Sequence, residues 1–294
     1  MKLLLTGKNG QVGFELQRAL AVLGEVVAID SDTYDLADEA AIRRVLRDVR
    51  PDVIVNPVAY TAVDRAESEP ALAQAINARA PAVLAEEAGA LGALLVHYST
   101  DYVFDGTKDG AYLETDAPNP TSVYGATKLA GEQAVAAACP RHLILRTSWV
   151  VGAHGGNFAK TMLRLACERD ALSVVADQFG APASAALLAD VTAHLVRHAA
   201  REHDAFPYGL YHAVAGGETH WHSYACHVIE RARAAGKPVR VAPGAIKAIA
   251  SADYPTPARR PTNSRLDTRS LRTTFGLHLP DWKAGVDHIL DQIL

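Results

Sequence analysis

Lys2-Leu3-Leu4-Leu5-Thr6-Gly7-Lys8-Asn9-Gly10-Gln11-Val12-Gly13 runs a short apolar stretch into three glycines spaced three apart. Apolar, β-favouring residues followed by a glycine turn and then a helical pattern read as strand, tight loop and helix. Such a loop suits a pyrophosphate. Glycines let the backbone turn sharply and approach the anion, and the helix start presents free N–H groups and the positive end of its dipole. Asp30 closes the next apolar run and can accept hydrogen bonds from both hydroxyls of a ribose, which leans towards NADH because a 2′-phosphate would meet its charge. Lys8 or a distant arginine can take that phosphate instead, so NADPH and NADH both stay open. The expected cofactor contacts of this loop are Gly7, Asn9, Gly10, Gln11, Val12, Gly13 and Asp30.

Outward from this loop the same rhythm repeats. Residues 2–6, 26–30, 53–56, 94–99 and 142–146 read as strands, and residues 12–23, 39–49, 72–91 and 124–138 as the helices between them. Alternation of this kind implies parallel strands joined by crossover helices, and near-continuous Val, Leu and Ile imply strands covered on both faces. Pro51 and Pro140 fall where helices end, whereas Pro81 implies a kink or a split. After Trp149 the rhythm loosens, with helices expected over 158–169 and 185–202 and a Pro-rich loop over 254–261. The expected fold is therefore α/β, a doubly wound parallel sheet with a smaller C-terminal substrate lobe. Residues 1–151 with about 177–214 would form the dinucleotide-binding domain, and about 152–176 with 215–294 the lobe, interleaved in one unit.

Composition narrows the partners. In 294 residues, 49% hydrophobic and 21% charged content is that of a packed globule, and a net charge of −4 offers no global basic field for nucleic acid. No window approaches the roughly 20 apolar residues of a membrane span, so a cytoplasmic protein is expected. Cys139, Cys167 and Cys226 form no Cys-x-x-Cys pair and read as reduced packing residues.

Tyr124-Gly125-Ala126-Thr127-Lys128 sets a phenol and an ammonium one helical turn apart. A cation there has the sign needed to lower the phenol pKa from about 10, and a positioned phenol can give a proton to a carbonyl as hydride arrives at its carbon. Ser99-Thr100 ends the fourth strand, at the edge where open α/β sheets bind ligands, so a hydroxyl can hold the carbonyl against Tyr124.

These residues carry a resemblance. The chain resembles the extended short-chain dehydrogenase/reductases and, more narrowly, is similar to the dTDP-4-dehydrorhamnose reductase family over essentially its whole length. The matching stretches include the glycine loop, Arg50-Pro51-Asp52-Val53-Ile54-Val55-Asn56, Thr61-Ala62-Val63-Asp64-Arg65-Ala66-Glu67 and Tyr98-Ser99-Thr100-Asp101-Tyr102-Val103-Phe104-Asp105-Gly106. Arg146-Thr147-Ser148-Trp149-Val150 and Asp177-Gln178-Phe179-Gly180-Ala181-Pro182 follow. The resemblance implies Tyr124 as proton donor, Lys128 as the residue that binds the nicotinamide ribose and lowers the phenol pKa, and Thr100 as hydroxyl partner. It places Asp35, Leu36, Ala59, Tyr60 and Thr61 along the cofactor, and Thr100, Asp101 and Trp149 facing a nucleotide sugar. The implied reaction is NAD(P)H-dependent reduction of dTDP-4-dehydro-β-L-rhamnose. Another sugar-nucleotide reductase, an epimerase and a non-catalytic dinucleotide-binding subunit are the alternatives. A dehydratase is disfavoured, because Tyr102 stands after Asp101 where such relatives place a second carboxyl group.

Arg259 and Arg260 offer planar forks for a diphosphate. His220, His222 and His227 form no ligand motif and read as surface or packing residues. Some relatives hold Mg²⁺ between subunits through glutamates; Glu15 matches one such position, but Ala186 stands where another would be, so the ligand set is incomplete. A homodimer remains open. Pro57 and Val58 depart from the small residues usual in the family, and a local adjustment beside the cofactor is expected.

Overall fold

The computed structural model describes residues 1–31 and 35–294. In chain order the elements of the first half are β1 (Lys2–Thr6), α1 (Gln11–Ala21), β2 (Glu25–Ile29), α2 (Glu39–Val49) and β3 (Val53–Asn56). They continue with α3 (Val63–Ala66), α4 (Pro70–Gln74), a π-helical turn (Ala75–Arg79), α5 (Ala80–Leu91), β4 (Leu94–Thr100), α6 (Val123–Ala138) and β5 (His142–Thr147). The second half adds α7 (Phe158–Glu168), β6 (Leu172–Val175), β7 (Phe179–Gly180), α8 (Ala185–Glu202), β8 (Gly209–His212) and β9 (Thr219–His220). It ends with α9 (Trp221–Ala234), β10 (Ile246–Ile249), α10 (Arg269–Phe275) and α11 (Trp282–Ile293).

Six parallel strands form the main sheet in the order β2-β1-β3-β4-β5-β8. Successive side chains of a strand point to opposite faces, so covering both faces demands apolar residues at every position. Leu3 and Leu5, Val53 and Val55, and Leu143 and Leu145 enter one core with Leu16 and Leu20 of α1 and Leu188 and Leu195 of α8. Leu4, Ile54, Leu95 and Ile144 enter the opposite core with Ile42 of α2, Leu84 of α5 and Val135 of α6. This is the doubly wound sheet expected. Strand order reverses between β1 and β3, so the crevice lies beyond their carboxyl ends, where the glycine loop and the segment after β3 meet.

A third core joins α7, β6, α9 and α11 through Met162, Val174, Tyr224, Ile229 and Val286. Leu271, Phe275 and Leu279, from the stretch expected in this lobe, pack instead into the core of the main sheet. The helix expected over 72–91 is interrupted by the π-helical turn Ala75–Arg79, and Pro81, which offers no N–H, follows where this wider turn passes into α5 with the backbone helical throughout. That turn presses on α6: a Cβ on Gly131 would stand 2.2 Å from the Asn77 carbonyl oxygen. No helix among the described residues is long and apolar enough to cross a membrane.

Candidate active site

A cleft of about 490 Å³ opens at this switch point, a size suited to a cofactor-sized ligand. One wall is the glycine loop. Gly7 has φ +64°, a conformation that side chains rarely adopt, and a Cβ there would stand 2.4 Å from Val58 Cγ2. Gly13 admits no Cβ either, since one would lie 1.9 Å from the Gly7 carbonyl oxygen. Gly10 caps α1 without any side-chain hydrogen bond, which leaves the first N–H groups of the helix to the cleft. The cradle therefore fits the pyrophosphate of a dinucleotide. Asn9, Gln11, Val12 and Asp30 line it. The Asp30 carboxylate accepts the backbone N–H of Asn9 at 2.8 Å and of Ser31 at 2.7 Å. Burial pushes the group up, but these N–H groups and Lys8 hold its pKa below the usual carboxylate value. Asp30 thus braces the glycine loop from the end of β2. The Gln11 side chain accepts from Gly152 N and Asn157 Nδ2, both at 2.9 Å, and ties this loop to the segment before α7.

Pro57, Val58, Ala59 and Thr61 form the wall beyond β3. Pro57 leaves the cleft open, and Val58 covers Gly7. Tyr60, expected along the cofactor, turns away: its hydroxyl bonds to Glu69, and its N–H and carbonyl are held by Asn77 at 2.8 and 3.2 Å. Ala59 and Thr61 are in the lining and Tyr60 is not. Asp35 and Leu36 do not line the cleft. Asp35 is exposed and caps a turn through Ala37 N at 2.8 Å, while Leu36 packs against the core on the α2 side.

Tyr124 and Lys128 do meet at the cleft. Ser122 caps α6, accepting from Gly125 N at 3.1 Å, which fixes the helix start and aims the phenol. The Lys128 side chain, 1% exposed, donates to the Tyr98 carbonyl at 2.6 Å and lies 3.3 Å from His97 Nε2. Burial lowers its pKa from 10.5 to about 8. The protein groups around the Tyr124 phenol raise its pKa on balance. Burial raises Tyr124 from 10.0 to about 12, the Thr100 hydroxyl bonded to it opposes this, and the Asp101 carboxylate adds to it. The ammonium is held by Tyr98 and His97.

Thr100, which does not itself line the cleft, donates its one hydroxyl proton to Asp101 Oδ1 at 3.1 Å and accepts from Tyr102 N at 3.2 Å. Asp101 is 2% exposed, and burial raises it to about 6 against hydrogen bonds from Ser264 and Thr100. It does not line the cleft with Tyr124; its Oδ2 is buried without a partner, as are the hydroxyls of Ser99 and Thr147 at the ends of β4 and β5. These two hydroxyls line the cleft and supply polar groups that a bound ligand can satisfy. Tyr102 packs edge-on against Tyr124, ring centroids 5.4 Å apart.

Trp149, expected to face the sugar, has φ +48° and stacks on Trp221 of α9 at 3.7 Å between ring centroids. A Cβ on Gly180 would touch it at 2.9 Å, so Gly180 makes the room it occupies. Arg260 pairs with Asp64 through two bonds of 3.1 and 2.8 Å, pinning the Pro-rich loop to the segment after β3. Arg259 is exposed and makes no ion pair among the described residues. Glu15 sits beside Arg18 at 3.5 Å in a second concavity that also holds Ala186 and His288. His220 caps α9, His222 bonds to the Ile246 carbonyl at 2.9 Å, and His227 meets Asp287 at 2.7 Å. The three cysteines are free.

The residues that sequence reasoning missed are His97, Asn56 and Asn77. A histidine inside Leu94-Leu95-Val96-His97-Tyr98, an otherwise apolar run, was the available signal.

The sequence profile described as the RmlD substrate binding domain matches residues 1–294. The chain is 53% identical over 297 residues to dTDP-4-dehydrorhamnose reductase of Escherichia coli (strain K12), a match covering 100% of this chain and 98% of that protein. Among solved structures it is similar to a dTDP-4-dehydrorhamnose reductase from Clostridium acetobutylicum ATCC 824, with a TM-score of 0.90, 36% identity and coverage of 100% and 99% of the two chains. The enzyme from Bacillus anthracis str. Ames, in complex with NADP, gives a TM-score of 0.88 and 34% identity over 99% of each chain.

Proposed function

The chain belongs to the dTDP-4-dehydrorhamnose reductase family, and on that footing we propose that it reduces dTDP-4-dehydro-β-L-rhamnose to dTDP-β-L-rhamnose with NAD(P)H, through Tyr124, Lys128 and Thr100. The observation that carries the residue assignment is the buried Tyr124 phenol lining the same cleft as the Lys128 ammonium and the glycine cradle.

When bound, the reduced nicotinamide supplies a hydride to the carbonyl carbon. The chain does the rest. The glycine loop and the start of α1 hold the pyrophosphate, and Asp30 braces that loop. Thr100 orients the sugar carbonyl against Tyr124, which donates its phenolic proton to the carbonyl oxygen. A pKa pushed up to about 12 suits an acid, because the phenol stays protonated throughout the neutral range. Lys128 returns a proton to the phenolate. With its pKa lowered to about 8, the ammonium is lost as pH rises through that value, so reduction slows on the alkaline side of about 8. Elimination finds no second carboxyl group, since Tyr102 occupies the place after Asp101 and packs on Tyr124. Arg260 holds the Pro-rich loop to Asp64 and leaves Arg259 as the exposed guanidinium for the diphosphate.

The test is the loss of nicotinamide absorbance with dTDP- against UDP-linked 4-keto sugars, in wild type and Tyr124→Phe. Loss of roughly 100-fold or more in kcat with cofactor affinity retained is expected of the variant. Full activity in Tyr124→Phe would refute the proposed acid. Cofactor binding without reduction of any nucleotide sugar would favour the binding-subunit alternative.

A further inference from the structure

Behind Lys128 a chain of buried polar side chains crosses three strands. Thr6 of β1, Asn56 of β3, His97 of β4 and Lys128 of α6 are all 2% exposed or less. Thr6 Oγ1 and Asn56 Oδ1 are 2.7 Å apart, Asn56 Nδ2 and His97 Nδ1 3.1 Å, and His97 Nε2 and Lys128 Nζ 3.3 Å. Asn56 and His97 are direct register partners, so this contact is built into the β3–β4 ladder.

Counting donors fixes what each group must be. A lysine amine that stays protonated only donates, so His97 Nε2 must carry the lone pair. A neutral imidazole then bears its proton on Nδ1, and that proton needs an acceptor. Asn56 supplies one only if its amide is turned so that Oδ1 faces His97 and Nδ2 donates to Thr6 Oγ1; the two orientations have the same shape, and the hydrogen-bond network chooses between them. A doubly protonated ring would set a second buried cation beside the ammonium. Burial, and after it Lys128, hold His97 well below its ordinary pKa, which agrees with the neutral form.

We infer that His97 is a positioning residue for Lys128. Locked by Asn56 with its proton on Nδ1, it accepts one ammonium proton while the Tyr98 carbonyl accepts a second, and the third is left to point into the cleft. The other groups that face this ammonium are Tyr124 and Glu132 on its own helix. Glu132 is itself held by Arg146 of β5 through bonds of 2.8 and 2.6 Å. Asn56 of β3 and Asn77 of the π-helical turn bring only neutral amides.

The inference rests on the assignment of Lys128 to the reaction, but its first test does not use activity. In protein labelled with ¹⁵N-histidine, with the His97 signals assigned by comparison with His97→Gln, Nδ1 should be of the protonated type and Nε2 of the unprotonated type. The ring should not titrate between pH 6 and 9. A proton on Nε2, or a ring that titrates in that range, overturns the inference and leaves the roles of Tyr124 and Lys128 standing. The second test is the pH profile of kcat. His97→Leu should move the alkaline limb down by about one to two pH units, the loss of one hydrogen bond to a charged group. His97→Gln, whose Oε1 reaches the place of Nε2, should restore it, and an unmoved limb in His97→Leu overturns the inference. Should His97→Leu fail to fold, the wild-type ring-nitrogen spectrum decides.

Discussion

Replacing Lys128 by methionine tests the burial of the ammonium without any substrate. The depression from 10.5 to about 8 is a fall of about 2.5, and at 1.36 kcal/mol per pH unit it amounts to roughly 3 kcal/mol of destabilisation of the folded protein. The sign follows from proton counting. Below about pH 8 both folded and unfolded chains carry the ammonium, and the folded state bears the whole desolvation cost. Between about 8 and 10.5 the folded amine is neutral while the unfolded one is still charged, so the unfolded state binds more protons and stability rises with pH. The cost is therefore about 3 kcal/mol at pH 7 and about 1 kcal/mol at pH 10. Lys128→Met also removes the donor to the Tyr98 carbonyl and to His97, which costs about 1–3 kcal/mol per orphaned acceptor. That loss does not vary with pH, so it cancels when the same pair of proteins is compared at several pH values. Urea unfolding of wild type and Lys128→Met without cofactor, at pH 7, 8.5 and 10, should show wild type gaining about 2–3 kcal/mol on the variant across the series. Parallel pH dependence of the two proteins would refute the buried, depressed ammonium, and with it the alkaline limit drawn for the reaction.

Gly13→Ala would set a Cβ 1.9 Å from the Gly7 carbonyl oxygen, so the loop must move. At an overpacking cost of about 1–3 kcal/mol, NADPH binding measured by titration calorimetry should weaken by roughly 10- to 100-fold, and unchanged affinity would show that the cradle is not the pyrophosphate site. Arg259→Ala should raise KM for the nucleotide sugar by about tenfold or more and leave the thermal midpoint in place. Arg260→Ala should lower that midpoint modestly, because its half-exposed pair with Asp64 contributes about 1 kcal/mol or less. Exchange of those two outcomes would assign the diphosphate to Arg260.

The sequence alone determined the alternation of strands and helices, the glycine cradle, Asp30 at the end of β2 and the one-turn spacing of Tyr124 and Lys128. Each depends on the backbone geometry of neighbouring residues, whose periods of 2 and 3.6 can be read directly. The family resemblance supplied the sugar and the base. Tertiary structure decided what those groups are electrostatically. The Tyr124 phenol keeps its proton because the surrounding protein removes its water, and spacing along a helix carries no information about that. It also decided the partners. His97 reaches Lys128 across 31 positions, Arg260 reaches Asp64 across 196, Trp149 turns to Trp221, and Tyr60 turns from the cleft to Glu69. Such contacts arise from how sheet, helices and loops close on one another, and desolvation, which sets each charge, exists only once they have closed.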